Sequence, residues 1–369
     1  MRHTGTMSVP PAEPSEVRLL AQGPGPSGPW ARLLLPGPVD PTVWPDALPP
    51  GVSLEDATGD PVVTGTLAEL AALGLRLGSS GRALANAARA LRRPPPPLRL
   101  GGTRWEFGRR TYLLGVLNVT PDSFSGDGVG ASLEAARDRA RELVAEGVDA
   151  IDVGGESTRP GHQEVPIAEE LRRVVPVLEM LAAEFDVPLF VDTAKAGVAR
   201  AALGAGAVAV NDIWGLRGDP EMAAVVAAAD AAVVCMHNQQ GVTYQDLRGE
   251  VLAGLRESQR LAVEAGIPVD RVLVDPGFGF GKTPQQSLEL LTHLEEFRLL
   301  GRPLLVGTSR KSMVGWMLDN RPVGGRLLGT AATVAWAAAR GADVVRVHDV
   351  AAMRDVARVT DRLARHRSD

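Results

Sequence analysis

Cysteine is nearly absent from this 369-residue chain. Cys235 stands alone, which excludes a disulfide framework within the chain and suits a reducing compartment. No run of 18 or more apolar residues occurs, so no membrane-spanning helix is expected. The first residues lack the apolar stretch that follows the charged start of a secretory signal, and cytoplasm is the expected compartment. An excess of basic charge is missing too: the net charge is −5 and the pI about 5.8, which leaves no electrostatic footprint for nucleic acid. Lysine is the scarcest basic residue. Of 39 basic side chains only three are lysine, Lys195, Lys282 and Lys311. Each follows an expected strand end, where a compact, mobile ammonium serves better than a guanidinium fork.

Apolar residues make up 45% of the chain and support a full core. The length suits a barrel of about 250 residues with an extension. Residues 1 to about 50 are rich in Pro and Gly, with little periodicity, and are expected to be extended or partly disordered. From Thr66 to Arg93 apolar residues recur at helical spacing, as in Leu67, Leu70, Leu73 and then Leu84, Ala87, Ala88, Leu91, which predicts a helical pair. Pro94 to Pro97 form a stiff linker. The domain boundary is placed there: residues 1–97 as an N-terminal extension, 98–369 as the main domain, entered through a short hairpin at 98–110.

Beyond the hairpin the chain alternates. Strands are expected at 113–118, 149–153, 188–192, 207–211, 231–236, 271–275, 303–307 and 343–347, each a near-continuous apolar run of the kind buried on both faces. Helical periodicity fills 132–146, 167–184, 195–204, 219–229, 246–265, 284–300, 324–340 and 350–365. Ser132, Asp219-Pro220 and Thr283-Pro284 supply helix starts. Eight such pairs predict a parallel (β/α)8 TIM barrel, with a doubly wound open sheet as the alternative.

In a barrel of this kind the C-terminal strand ends share one mouth, where catalytic residues gather. Here those ends carry Asn118, Asp152, Asp192, Asn211-Asp212, His237, Asp275, Ser309-Arg310-Lys311, and Arg346 with His348. After Asp275 comes GFGFGKT, in which Gly277, Gly279 and Gly281 alternate; such glycines allow close backbone approach or positive φ. The loop is not a phosphate-binding P-loop, because Pro276 stands where the first Gly of that motif belongs. Alone, it would serve equally as a turn capped by Asp275. Asp192, Asn211, Asp275 and Lys311 together offer acceptors and donors suited to a flat heterocycle. Arg159, Arg310, Arg346 and His348 suit phosphate or carboxylate groups, and Asn118 could complete a Mg2+ shell shared with substrate phosphates. A heterocycle end beside a diphosphate end implies group transfer with diphosphate as leaving group.

The segments LLGVLNVTPDSFSGDG, DVGGESTRPG, FVDTAK, VNDIWG, DPGFGFGKT, VGTSRKS and VRVHD resemble, in order and across the whole barrel, the motifs of the dihydropteroate synthase family. The resemblance does not reach residues 1–97. It implies condensation of 6-hydroxymethyl-7,8-dihydropterin diphosphate with 4-aminobenzoate, assisted by Mg2+, through loss of diphosphate followed by attack of the aniline nitrogen. Carried over by position, it implies Asp192, Asn211, Met236, Asp275 and Lys311 for the pterin. Asn118, Arg346 and His348 would take the diphosphate, with Asn118 at the metal. Phe124, Thr158, Arg159 and Ser312 would form the 4-aminobenzoate pocket, and Asp192, Asp275, Lys311 and Arg159 would carry the catalysis. A homodimer through the late helices is implied as well. One departure stands after the fifth strand, where the family shows Met-His-Met and this chain has Met236-His237-Asn238-Gln239-Gln240. Two other readings remain open: a pterin-binding methyltransferase of the same superfamily, and a noncatalytic pterin-binding barrel.

Overall fold

A computed structural model describes residues 17–23, 29–35, 44–45, 48–57, 60–77, 81–120, 132–156 and 165–365. The chain divides into two compact units, one of residues 1–93 with 245–253 and one of 94–244 with 254–369.

The first unit holds strands β1 (Arg18–Gly23), β2 (Trp30–Leu34), β3 (Ser53–Ala57) and β4 (Asp60–Thr66), followed by helices α1 (Leu67–Arg76) and α2 (Arg82–Arg92). The strands form an antiparallel sheet in the order β1-β2-β4-β3. The chain before residue 50 is extended at β1 and β2, as expected, but these strands pair into a sheet, which was not expected. β2 pairs along its length with Leu34↔Val62 through Trp30↔Thr66, some thirty positions away, a pairing that local periodicity does not reveal. The helical pair is present. Thr66 opens α1 with a capping box: its hydroxyl accepts from the Glu69 N–H, and the Glu69 carboxylate accepts from the Thr66 N–H, which satisfies two orphan donors at the helix start. Gly74 is required where the helices meet, because a Cβ there would lie 2.5 Å from the Ala85 nitrogen.

The second unit begins with the hairpin β5 (Leu98–Leu100) and β6 (Thr103–Trp105). Eight strands then alternate with helices: β7 (Tyr112–Asn118), α3 (Leu133–Ala145), β8 (Ala150–Gly154), α4 (Ile167–Glu184), β9 (Leu189–Asp192), α5 (Ala196–Gly204), β10 (Ala209–Asp212), α6 (Met222–Ala228), β11 (Ala232–Met236), α7 (Leu247–Glu264), β12 (Val272–Asp275), α8 (Pro284–Thr292), β13 (Leu305–Val306), α9 (Ser312–Met317), α10 (Leu327–Ala339), β14 (Val344–Val347) and α11 (Val350–Ala364). All seven strand pairings are parallel, in the order β12-β11-β10-β9-β8-β7-β14-β13. The Val274 N–H donates to the Pro303 carbonyl at 3.0 Å and Val274 bridges Leu304 in parallel, so the sheet closes into a barrel. The (β/α)8 expectation therefore holds, and the open-sheet alternative falls. Two of the predicted starts are met: Ser132 caps α3, and Thr283 caps α8 with Pro284 in its first turn; Asp219-Pro220 lie ahead of α6, which opens at Met222 behind Glu221 with no side-chain cap. No helix among the described residues is long and apolar enough to cross a membrane.

The N-terminal end of the barrel is filled. Trp105 stacks on Tyr112 with ring centroids 4.4 Å apart and lies 6.3 Å from Phe190. Leu98 and Leu100 of the hairpin join Ala150, Ala209, Ala232, Leu273, Leu305 and Val344 in the same buried cluster. Only the other end is left for chemistry.

Candidate active site

Strand register brings the polar ends level. Asn118 pairs with Gly154, Gly154 with Asp192 and Asp192 with Asn211, while Met236 pairs with Asp275. Gly154 matters in this row: a Cβ there would sit 3.4 Å from the Asn118 side-chain oxygen and 3.6 Å from Asp192 Cβ, so its absence lets the two side chains approach.

The centre of the mouth is one guanidinium between two carboxylates. Arg346 donates from Nε to Asp152 Oδ2 at 2.6 Å and from Nη2 to Asp192 Oδ2 at 2.7 Å. Asn211 Nδ2 donates to the same Asp152 oxygen at 2.9 Å. Asp152 is fully buried, and Asp192 and Asn211 nearly so. The other oxygen of each carboxylate, Asp152 Oδ1 and Asp192 Oδ1, is buried without a hydrogen-bond partner. Buried acceptors of this kind are costly unless a bound molecule supplies the donors. Burial raises the Asp192 carboxyl to about 7, with Asp152 adding to the rise and Arg346 opposing it. Arg346 stays charged, since burial is outweighed by Asp152 and Asp192.

Across the mouth, Asp275 Oδ1 accepts from the Gly277 N–H at 2.7 Å, and burial raises its carboxyl against the pull of Lys311. Lys311 Nζ donates to the Phe278 carbonyl at 2.6 Å and lies 4.6 Å from the centre of the Phe280 ring. Burial lowers the Lys311 ammonium to about 8. The three alternating glycines of this loop all take positive φ, Gly277 at 74°, Gly279 at 78° and Gly281 at 57°, as their spacing predicts. A Cβ on Gly281 would lie 2.5 Å from the Gln239 carbonyl oxygen, so the loop also needs close backbone approach.

The last strand ends form a second cluster. Ser309 Oγ lies 2.9 Å from His348 Nδ1 and accepts from the His348 N–H at 3.2 Å. Arg310, expected to meet phosphate or carboxylate, is paired in two places with Asp349, at 2.9 and 2.6 Å. It takes a positive φ of 57°, a strain held by the Thr330 hydroxyl on its N–H and by Arg326 on its carbonyl. Ser312 is exposed and opens α9, behind Lys311 as cap. Phe124, Thr158 and Arg159 lie outside the described residues.

Two of the three lysines take roles that sequence spacing does not disclose. Lys195 is half-buried between Glu156 at 2.5 Å and Glu170 at 2.7 Å. Lys282 is buried against His237. Asp152, present among the strand-end residues but given no part in the chemistry, is the hub that holds Asn211 and Arg346. Its signal was the position alone, at the end of an apolar strand.

Residues 114–348 match the family model described as pterin binding enzyme. Dihydropteroate synthase of Synechocystis is 46% identical over 278 residues, covering 73% of this chain and 96% of that protein. Among solved structures, dihydropteroate synthase of Clostridium difficile, determined in the presence of pteroic acid, is 46% identical with a TM-score of 0.68, covering 71% of this chain and all of that one. The enzyme of Xanthomonas albilineans with 4-aminobenzoic acid is 43% identical with a TM-score of 0.69, covering 73% and 98%.

Proposed function

The chain belongs to the dihydropteroate synthase family of pterin-binding enzymes, and from that premise we infer how its own residues carry the family's reaction. The chain is a transferase that joins 6-hydroxymethyl-7,8-dihydropterin diphosphate to 4-aminobenzoate, giving 7,8-dihydropteroate and diphosphate. The observation that carries the residue assignment is the pair of unpartnered buried oxygens, Asp152 Oδ1 and Asp192 Oδ1, beside Asn211. A pterin ring brings N–H and amine donors to such acceptors. Asp275 and Lys311 face the ring from the other side of the mouth, and Met236 lends it an apolar wall.

Arg346 is placed between the pterin readers and the diphosphate. In the free protein its charge is spent on Asp152 and Asp192; a bound diphosphate competes for it, and His348 flanks the same end. The C–O bond to the pterin methylene breaks first, its electron pair leaving with diphosphate. The aniline nitrogen of 4-aminobenzoate then forms the C–N bond and gives up a proton. Between these steps the cationic methylene is stabilised by the buried carboxylates of Asp192 and Asp275. No Ser, Cys or Lys is needed as a covalent nucleophile. Phe124, Thr158, Arg159 and Ser312 are assigned to 4-aminobenzoate, whose carboxylate suits backbone N–H groups.

The donor set also bears on Mg2+. No group of three or more His, Cys, Asp or Glu side chains able to hold a metal occurs among the described residues. A single amide oxygen from Asn118 suits an ion bound mainly by phosphate oxygens and water. When bound there, Mg2+ would neutralise charge on the leaving diphosphate.

Exposed Trp316, Met317, Leu327, Leu328 and Trp336 on α9 and α10 support the homodimer expected through the late helices. Cytoplasm is retained as the compartment, and residues 1–97 as an accessory extension. The test is diphosphate release from the pterin diphosphate with Mg2+, run with and without 4-aminobenzoate. Release coupled to dihydropteroate only when 4-aminobenzoate is present supports the reading. Tight pterin binding without turnover would overturn it in favour of a noncatalytic barrel.

A further inference from the structure

The family's motifs leave one buried cation without a task. Lys282, in the loop after β12, is only 6% exposed. Its ammonium makes three contacts, all to uncharged groups: His237 Nδ1 at 3.0 Å, the His237 carbonyl at 3.2 Å and the Phe280 carbonyl at 2.9 Å. Three donors meet three acceptors, which requires His237 to present Nδ1 as an acceptor and so to carry its proton on Nε2. Asp275 is the carboxylate that acts on this ammonium, and it does not outweigh the burial, so holding a cation there is expensive. The contacts therefore need another reason.

Geometry supplies it. The loop after β11, residues 237–244, holds Asn238-Gln239-Gln240, where the resemblance implies a departure from the family, and it lies against the loop after β12. Gly277 has no room for a Cβ beside the His237 carbonyl, and Gly281 none beside Gln239. Further from the strands, Tyr244 donates from its hydroxyl to the Gly281 carbonyl at 2.8 Å, and Gln286 Nε2 donates to the Val242 carbonyl at 2.8 Å. Lys282 is the innermost of these three ties. Through the Phe280 carbonyl it fixes the residue whose ring lies under the Lys311 ammonium, 4.6 Å away. Asp275 faces the same space on its own strand, and Arg217 approaches the far side, donating to the Asn238 carbonyl at 3.0 Å.

We propose that Lys282 is a positioning residue: it locks the polar β11 loop to the β12 loop and, through Phe280, sets where Lys311 stands in the pterin pocket. The second half of this statement rests on the pterin assignment above. Burial lowers the Lys282 ammonium to about 7, with Asp275 opposing and Lys311 and Arg217 adding to the fall. His237 is held well below the usual imidazole range by burial and by Lys282.

The experiment separates the lock from the pocket. Amide hydrogen exchange of ligand-free wild type and Lys282→Met is compared, and affinity for 6-hydroxymethyl-7,8-dihydropterin diphosphate is measured on both. Expected is exchange at least about tenfold faster in 237–243 and 277–281, with β7–β10 unchanged, and pterin affinity weakened by about tenfold or more, the scale on which small misplacements act. The KM for pterin rises while that for 4-aminobenzoate at saturating pterin does not. Unchanged exchange in both loops overturns the lock. Faster exchange with unchanged affinity overturns the link to Lys311. A wild type that binds no pterin diphosphate sinks the functional reading itself, and leaves the exchange result to decide the lock. If Lys282→Met does not fold, His237→Phe removes one of the three acceptors and is read in the same way.

Discussion

The two ends of the barrel bury aspartates in opposite manners. At the N-terminal end Asp361 accepts from the Thr111 N–H at 2.7 Å and its hydroxyl at 2.8 Å, Asp149 accepts from the Leu113 N–H and from Arg110, and Asp343 accepts from the Leu304 N–H. None of these three is left with a buried oxygen lacking a partner. At the C-terminal end Asp152 and Asp192 each keep one. The first set ties backbone together and does nothing else. The second set is incomplete within the protein, and its deficit is what a ligand fills. Asp152 and Asp192 thus differ from Asp149, Asp343 and Asp361 in whether all their donors come from the chain.

The contrast breaks most sharply at Asp275. Asp275→Asn removes a charge beside the developing cation but keeps the shape of the loop. kcat/KM should fall by about 10²- to 10³-fold, the range found when one preorganised electrostatic group is lost, with the melting temperature unchanged. Turnover within a few-fold of wild type would remove Asp275 from the chemistry.

The pH profile tests the ionised pair. The Asp192 carboxyl, raised by burial to about 7, must be ionised to accept from the pterin and to steady the cation. The Lys311 ammonium, lowered to about 8, must keep its proton to donate. kcat/KM should therefore rise through about 7 and fall through about 8, with about a tenfold loss per unit on each side. A profile flat from pH 6 to 9 would exclude both groups.

The N-terminal end answers in stability instead. Trp105→Ala empties the centre of the aromatic plug and should cost about 3–5 kcal/mol in urea unfolding. Asp361→Asn weakens the tie to Thr111 and should cost about 1–3 kcal/mol. In both, pterin affinity under native conditions should stay within about twofold. A large loss of affinity with little loss of stability would mean the two ends are coupled.

Most of the barrel was legible because parallel strands buried on both faces write unbroken apolar runs, and each run stopped at a polar residue. The strand ends named Asn118, Asp192, Asn211, Asp275 and Arg346 for that reason. What was illegible depends on pairing at a distance. β2 meets β4 across thirty residues of Pro/Gly-rich chain, so its five-residue run reads as loop. The link from Asp152 to Arg346 spans 194 positions, and only barrel closure brings them together. That Arg310 pairs with Asp349 could not be known until the turn at positive φ was seen. Lysine scarcity pointed at three sites, but not that Lys195 pairs with two glutamates while Lys282 hydrogen-bonds only to neutral groups.

The smallest effect is the most pointed. The Asp192 carboxyl is raised in the folded protein, from the usual 3.8 to about 7. Such a group adds stability below its unfolded value, and that contribution is lost as pH rises through about 7. Asp192→Asn removes the ionisable group, and Arg346 keeps Asp152. The variant should therefore melt higher than wild type at pH 8, by about 2 °C or more, and show a smaller gain at pH 5, while its activity collapses. Gain of stability with loss of function is what an incomplete, ligand-seeking carboxylate predicts. A carboxylate of the Asp361 kind predicts the reverse, so a lower melting temperature at pH 8 would move Asp192 from the chemical set to the structural one.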